Sequence, residues 1–135
     1  MDPKILHRFF ALRPVVPFRL AADETVMVVA QIAQEKTYDP GQRVARAGEA
    51  LNHLLVIAAG DFADERLPLL PACWDLSGLV QRRLLERDLL AGPNGLTLWR
   101  IPRAQFLVLL LEAPELLLDA LDDSHGAPTA SSPTP

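Results

Sequence analysis

Turn-forming residues recur along the middle of this 135-residue chain, too closely spaced for long helices to fit between them. The turn signatures are Asp39-Pro40-Gly41-Gln42, Gly48, Gly60 and Gly92-Pro93-Asn94-Gly95. The first has Pro and Gly in the order that a type II turn requires. The stretches between the turns are short and apolar, as at 53–58 and 96–101, which is typical of β-strands. The central segment is therefore predicted to fold into many short antiparallel strands.

Helical patterns flank this central segment on both sides. Asp2-Pro3 is a capped helix start, and a second helix is predicted at 22–35. After the strands, Pro102 opens a helix, and a last helix is predicted at 114–121. Because helices and strands are segregated along the chain, we predict an α+β fold. Its centre is an antiparallel, jelly-roll-like β-roll at about 36–101, with N-terminal helices before it and two C-terminal helices after it.

Two shorter stretches inside the roll are harder to assign. A brief strand is predicted at 66–70. Residues 77–91 are predicted to begin as a helix capped by Ser77 and to finish as a strand near Leu89. The last residues, 124–135, contain three prolines and no large apolar side chain. We therefore predict a single domain at 1–123 followed by a disordered tail.

Composition and charge argue against several classes of partner. The 13 basic and 17 acidic side chains give a net charge of −4, whereas nucleic-acid-binding surfaces are basic. No apolar run approaches the ~20 residues that a membrane-spanning helix needs. The only cysteine is Cys73, so no internal disulfide can form, which favours a reducing compartment. We predict a cytoplasmic protein that binds neither nucleic acid nor membrane.

Several stretches together carry a likeness to a known family. They are Phe9-Phe10-Ala11-Leu12 with Ala22-Asp23-Glu24, residues 35–44, residues 47–60, and residues 98–106 with Ala113-Pro114-Glu115-Leu116. In this order and spacing, covering about 9–121, they resemble the cyclic-nucleotide-binding domain family. The resemblance implies first helices, a first β-hairpin with Gly41 in its tight turn, a second turn and strand, and an exit strand with paired C-terminal helices. It also implies a regulatory mechanism in which phosphate capture moves those helices.

The resemblance further implies a phosphate-binding cassette. In the family this is a short turn and helix containing Gly-Glu-Leu, followed by an Arg and a small residue, and helix N–H groups and the Arg hold the cyclic phosphate. Counting back from the exit strand places the cassette at 74–88. The candidate ligand-binding residues are Leu76, Ser77, Gly78, Arg87 and Asp88.

The cassette residues depart from the family pattern. Leu76 stands where the Gly belongs and Ser77 where the Glu belongs, while Gly78 comes one or two places late. A Leu side chain hinders the close approach of a phosphate to the backbone. Asp88 places a negative charge beside Arg87, the one candidate cation. We therefore predict an eroded cassette in a free-standing domain that binds cyclic AMP or cyclic GMP weakly or not at all.

Some cassette residues also have ordinary structural explanations. Arg87 is either a phosphate ligand or a solvated charge between Glu86 and Asp88. Trp74 and Trp99 either stack on a purine or fill the core and lid of the roll. The sequence leaves both alternatives open.

No catalytic or metal-binding arrangement stands out. Cys73 lacks a nearby His or basic helix start, so a small buried hydrophobe is the alternative to a nucleophile. His7, His53 and His125 are far apart and lack metal-ligand spacing. We predict a non-enzymatic protein with no metal and no cofactor.

Two classes of function remain. The first is a regulatory domain in signalling that senses a small ligand, either a cyclic nucleotide or another small anion, bound weakly. The alternative is a protein–protein interaction or scaffold module that has lost nucleotide binding. The apolar terminal helix is predicted to pack on the roll or on a second copy, so the C-terminal helices are the predicted contact for a protein partner or homodimer. The apolar residues of this predicted terminal helix are Leu116, Leu117, Leu118 and Leu121.

Overall fold

The computed structural model describes residues 2–65 and 69–116. Its helices are α1 (Pro3–Leu12), α2 (Asp23–Ile32), α3 (Leu76–Gln81) and α4 (Arg103–Glu112), and its strands are β1 (Gln34–Tyr38), β2 (Arg43–Ala45), β3 (His53–Phe62), β4 (Ala72–Trp74) and β5 (Leu89–Pro102). A short 3₁₀ turn at Phe18–Leu20 links α1 to α2. The predicted tail at 124–135 and residues 117–121 of the predicted last helix lie outside the described residues.

Strand β5 is the spine of an antiparallel sheet. It pairs with β3 on one side and with β1 and β2 on the other, while β4 pairs with the outer edge of β3. Helices lie before and after the strands in the chain, as the sequence pattern predicts. The predicted α+β class and antiparallel β-roll are confirmed.

The first predicted hairpin is wrong. Tyr38 of β1 pairs with Leu96, and Arg43 of β2 pairs with Leu90, so both strands run in the same direction along β5. The type II turn between them does form, because the Gln42 N–H donates to the Asp39 carbonyl at 3.0 Å and Gly41 has a φ of +78°. This turn makes a corner in one bent strand instead of reversing the chain.

The predicted tight turn at 92–95 is also wrong. These residues lie inside β5, a single strand of 14 residues. Phe62 pairs with Ala91 and Gly60 with Leu96, so four residues of β5 lie opposite one residue of β3. Glycine with positive φ and a proline without an N–H suit a bulge as well as a turn. Here they bend β5 to follow the corner in its neighbour.

Two element boundaries differ from the sequence prediction. Helix α2 ends at Ile32 and not at 35, because Glu35 belongs to β1, where its Oε1 accepts a hydrogen bond from the Trp99 indole at 3.1 Å. The strand predicted at 66–70 is wrong at Leu69 and Leu70, which form no strand, and residues 66–68 lie outside the described part of the chain.

The segment from residue 72 to residue 91 contains a strand, a helix and the start of β5. The structure places strand β4 at Ala72–Trp74. The helix-then-strand prediction for 77–91 is confirmed by α3 and by the start of β5.

The sheet is buried on both faces. Leu54 and Val56 pack with the helices, whereas Leu55 and Ile57 pack inside the roll, because alternate side chains of a strand project to opposite faces. This two-sided burial explains why β3 is a nearly continuous apolar run. The helix side also contains Phe9, Leu12, Phe18, Val26, Val29, Trp99, Ile101 and Phe106, and the roll interior contains Tyr38, Phe62, Leu89, Ala91, Leu96 and Leu98.

Arg8 ties the N-terminal helices to the sheet. Its Nη1 donates to the carbonyls of Ala30 and Ala33 at 2.9 and 3.0 Å, at the C-terminal end of α2. Its guanidinium also lies 5.7 Å from the centroid of the Trp99 ring. A cation at this end of a helix is favoured by the helix dipole.

Among the described residues, no helix has the length and apolarity to cross a membrane.

Candidate functional site

Helix α3, at the predicted cassette, is a six-residue helix that begins after Asp75. Asp75 has a φ of +48°, and its carboxylate accepts a hydrogen bond from the Gly78 N–H at 3.3 Å. This side chain, and not the predicted Ser77, is the cap. Arg82 ends the helix with a φ of +56°, and Arg103 donates to carbonyls at its C-terminal end. Both ends of α3 are therefore satisfied within the chain.

The first three predicted ligand residues belong to α3. Leu76 is buried, with 4% of its surface exposed, and packs in the helix-side core. Ser77 is half-buried. Gly78 is buried against Asp75, whose carboxylate occupies the space that a Cβ at residue 78 would need. None of these three residues lines the adjacent cavity.

That cavity, here called the cassette cavity, has a volume of about 340 Å³. It lies between the end of β3, the end of β4 and the segment that connects α3 to β5. Its lining residues are Phe62, Ala63, Asp64, Glu65, Trp74, Asp75 and residues 83–90. The rings of Phe62 and Trp74 meet edge to face at 5.3 Å and give it an aromatic wall. Such a volume is in the range of small-molecule sites.

The charge of the cassette cavity is opposite to that of a phosphate site. Among the described residues, five carboxylates and two guanidinium groups line it, and together they carry a formal charge of −3. The carboxylates belong to Asp64, Glu65, Asp75, Glu86 and Asp88. An entering cyclic phosphate would carry a further negative charge, so the field of the cavity repels it.

Both arginines of the cavity already have acidic partners. The Nη1 of Arg87 lies 3.5 Å from Asp64 Oδ2, and its side chain is 77% exposed. The Nη1 of Arg83 lies 3.5 Å from Asp75 Oδ1. A ligand phosphate would compete with these carboxylates for the two guanidinium groups.

Asp88 has a structural role that the sequence did not reveal. Its Oδ1 accepts a hydrogen bond from the Ala47 N–H at 2.8 Å, and its Oδ2 lies 3.6 Å from Arg43 Nη1. Asp88 thereby fastens β2 and the residue two places after it to the start of β5. The helix cap at Asp75 could have been recognised in the sequence, since Asp directly before a helical stretch is a common N-cap. The pairing of Asp64 with Arg87 has no such sequence signal, because the two residues meet only in the folded chain.

Trp99 and Cys73 lie away from the cassette cavity. Trp99 is a core residue of the helix side, which confirms the structural alternative for this tryptophan. Trp74 lines the cassette cavity and donates its indole N–H to Glu65 Oε1 at 2.9 Å. Cys73 is half-buried in β4 and packs against the helix-side core.

Comparisons with known proteins find similarity in structure alone. No protein-family model matches the chain, and no curated protein matches its sequence. A putative cAMP-binding regulatory protein from Silicibacter pomeroyi superposes with a TM-score of 0.65 at 16% identity, covering 88% of this chain. This chain has the fold of cyclic-nucleotide-binding domains. The family resemblance found in the sequence is confirmed at the level of the fold.

Other proteins with the cyclic-nucleotide-binding fold show the same similarity. The regulatory subunit of a cAMP-independent protein kinase A from Trypanosoma cruzi, bound to guanosine, gives a TM-score of 0.67 at 18% identity over 82% of this chain. Thermus thermophilus catabolite activator protein gives 0.60 at 21% identity over 78%. The chain spans 59%, 42% and 54% of the lengths of these three proteins, in the order given.

Proposed function

We propose that this chain is a non-enzymatic regulatory domain in which the cyclic-nucleotide-binding fold is retained and capture of a cyclic phosphate is lost. The observation that carries the proposal is the charge of the cassette cavity, where the described lining residues supply five carboxylates and two guanidinium groups, both of which have acidic partners. Losing a charged hydrogen bond to a ligand costs about 1.5–3 kcal/mol. Two such losses take a micromolar site to about the millimolar range.

The cassette cavity suits an uncharged ligand better than a phosphate. Its aromatic wall, Phe62 and Trp74, offers a surface on which a planar ring can stack. The Trypanosoma cruzi regulatory subunit, which shares the fold, was solved with guanosine, a nucleoside without phosphate. We therefore propose sensing of a small uncharged aromatic ligand in this cavity, in a cytoplasmic setting.

Titration calorimetry with cyclic AMP, cyclic GMP and guanosine tests this proposal. We expect no saturable binding of either cyclic nucleotide below about 1 mM. The proposal that phosphate capture is lost would be contradicted if the wild type bound cyclic AMP with micromolar affinity. This affinity would then have to be lost in Arg87→Ala and kept in the control Lys4→Ala on α1. Weaker binding of guanosine by Trp74→Ala than by the wild type would support the sensing role. Equal affinity of the wild type and Trp74→Ala for guanosine would show that the ligand does not bind in the cassette cavity.

A second candidate function is contact with another protein through α4. In the part of the chain that the structure describes, Val108 and Leu111 of this helix are 53% and 84% exposed. Exposed large apolar side chains on one helix favour an interaction surface. Sedimentation of the wild type against Leu111→Glu tests whether this helix mediates a homodimer. A dimer that persists in Leu111→Glu would contradict this contact.

A further inference from the structure

A second cavity lies on the other side of the backbone pairs Ala45–Leu89 and Ala50–Leu84 from the cassette cavity. It is lined by β2, residues 49–52, the start of β3 and the end of β5, whereas the cassette cavity is lined by the end of β3 and the start of β5. The volume of this cavity, here called the mouth pocket, is about 180 Å³. Its apolar side includes Val44, Leu51 and Leu55, and its polar side includes Glu49, His53 and Arg100. The two cavities share no lining residue.

Arg100 is the unusual group in the mouth pocket. It alternates with Leu96 and Leu98 along β5, so it lies on the interior face of the roll. Its Nε is buried and has no hydrogen-bond partner, and no acidic group among the described residues lies within ion-pair distance of its guanidinium. A buried part of a charged group without a partner is costly. An acceptor from outside the chain would relieve that cost.

The neighbours of Arg100 limit which acceptor fits. A guanidinium binds a carboxylate or a phosphate through two parallel hydrogen bonds. Glu49 also lines this pocket without forming an ion pair with Arg100, and its negative charge repels a dianion more than a singly charged anion. Burial, and then the charge of Arg100, lower the pKa of His53, which keeps its imidazole neutral near pH 7. The apolar side suits a short alkyl chain.

We propose that the mouth pocket binds a short-chain monocarboxylate whose carboxylate pairs with the guanidinium of Arg100. The pocket volume of about 180 Å³ equals roughly six water molecules at about 30 Å³ each, which is room for an acid of a few carbons. The branched apolar side chains Val44, Leu51 and Leu55 line the space next to the carboxylate. This site shares no lining residue with the cassette cavity.

Titration with isobutyrate, followed by NMR of the backbone amides and the Arg100 Nε–H, tests the proposal. We expect saturable shifts that centre on His53, Leu55 and Arg100. Arg100→Met should weaken the affinity about tenfold or more, since it removes a charge-assisted hydrogen bond. Glu49→Gln should strengthen it, because it removes the like charge. Lys4→Met, which removes a cation on α1, should leave the affinity unchanged.

Three outcomes would contradict the proposed binding site. The first is chemical shifts that grow linearly with isobutyrate without saturation, and the second is equal affinity of Arg100→Met and the wild type for isobutyrate. The third is binding of inorganic phosphate as tightly as isobutyrate, which would indicate an adventitious ion only. If Arg100→Met does not fold, Arg100→Lys keeps the charge and removes the planar fork, and it should still weaken binding. Guanosine or cyclic AMP binding that is unaffected by isobutyrate would separate this site from the cassette cavity.

Discussion

The carboxylate of Asp75 accepts a hydrogen bond from the Gly78 N–H and fills the space that a Cβ at residue 78 would take. The two residues are therefore coupled: the missing side chain at 78 makes room for the cap of α3. The three atoms nearest to the position that a Cβ at Gly78 would occupy all belong to Asp75. A double-mutant cycle can measure this coupling.

We expect the change in unfolding free energy caused by Gly78→Ala to be about 1 kcal/mol less favourable in the wild type than in an Asp75→Gly background. About 1 kcal/mol is the usual contribution of an N-cap. In the Asp75→Gly background the same change should stabilise the protein by up to about 1 kcal/mol, since Ala is a better helix former than Gly. Urea unfolding of the four proteins gives the coupling energy. Equal effects of Gly78→Ala in both backgrounds would show that the two residues are independent.

The bulge between β3 and β5 gives a second prediction. Gly60 has a φ of +82°, and a Cβ there would collide with the backbone carbonyl of Gly95. We expect Gly60→Ala to destabilise the protein by about 2–5 kcal/mol, from the positive φ and from overpacking against a backbone that cannot move aside. Gly48 is the matched control, because it has a φ of +84° and no atom within 4 Å of its Cβ position.

Gly48→Ala should therefore cost only about 1–2 kcal/mol, the strain of the positive φ alone. Thermal or urea unfolding of both variants checks the difference. Comparable losses of stability in Gly48→Ala and Gly60→Ala would mean that the close contact at the bulge is not what constrains residue 60.

The stability of the protein should depend on pH through His53. Burial, and then Arg100, lower its pKa below the ordinary 6.5, so the unfolded chain binds a proton more readily than the folded one. The contribution of neutral His53 is present above pH 6.5 and is lost as the pH falls from 6.5 through the lowered pKa. The charged or titratable side chains around it in the mouth pocket are Tyr38, Glu49 and Arg100.

His53→Gln should flatten the decline in unfolding free energy below pH 6.5, and Arg100→Met should flatten part of it. Urea unfolding at a series of pH values measures this slope. A slope in His53→Gln that matches the wild type would assign the pH dependence to other groups.

Residues 124–135 should be dispensable for folding. They contain no large apolar side chain to bury. Deleting them should change the unfolding free energy by no more than about 0.5 kcal/mol, the usual range for changes outside a core. A clearly lower melting temperature in the shortened chain would show that this segment docks on the domain or on another copy.

The element types were largely predictable, whereas their connections were not. Pro and Gly at 39–42 specify a local turn, and that turn forms. Whether it reverses the chain or bends a continuing strand depends on where the partner strand runs, which no local pattern contains. The same holds at Gly92-Pro93-Asn94-Gly95, which bulges because β5 must follow the corner between β1 and β2.

The candidate site divides in the same way. The identities of Leu76 and Ser77 and the charge of Asp88 were visible along the chain. The partners were not visible. Asp64 meets Arg87, and Asp88 meets Ala47 across 41 positions, only because the roll brings its strands together.

The amino-acid sequence by itself determined the class of fold, most of the order of helices and strands, and the apolar faces. These depend on local spacing, and local spacing is written in the chain. Only the tertiary structure decided that the strands before and after Gly41 both pair with β5, and that Arg100 faces the roll interior. It also decided that carboxylates outnumber guanidinium groups among the described residues that line the cassette cavity. These depend on which distant residues meet, and packing of the two-sided sheet sets that.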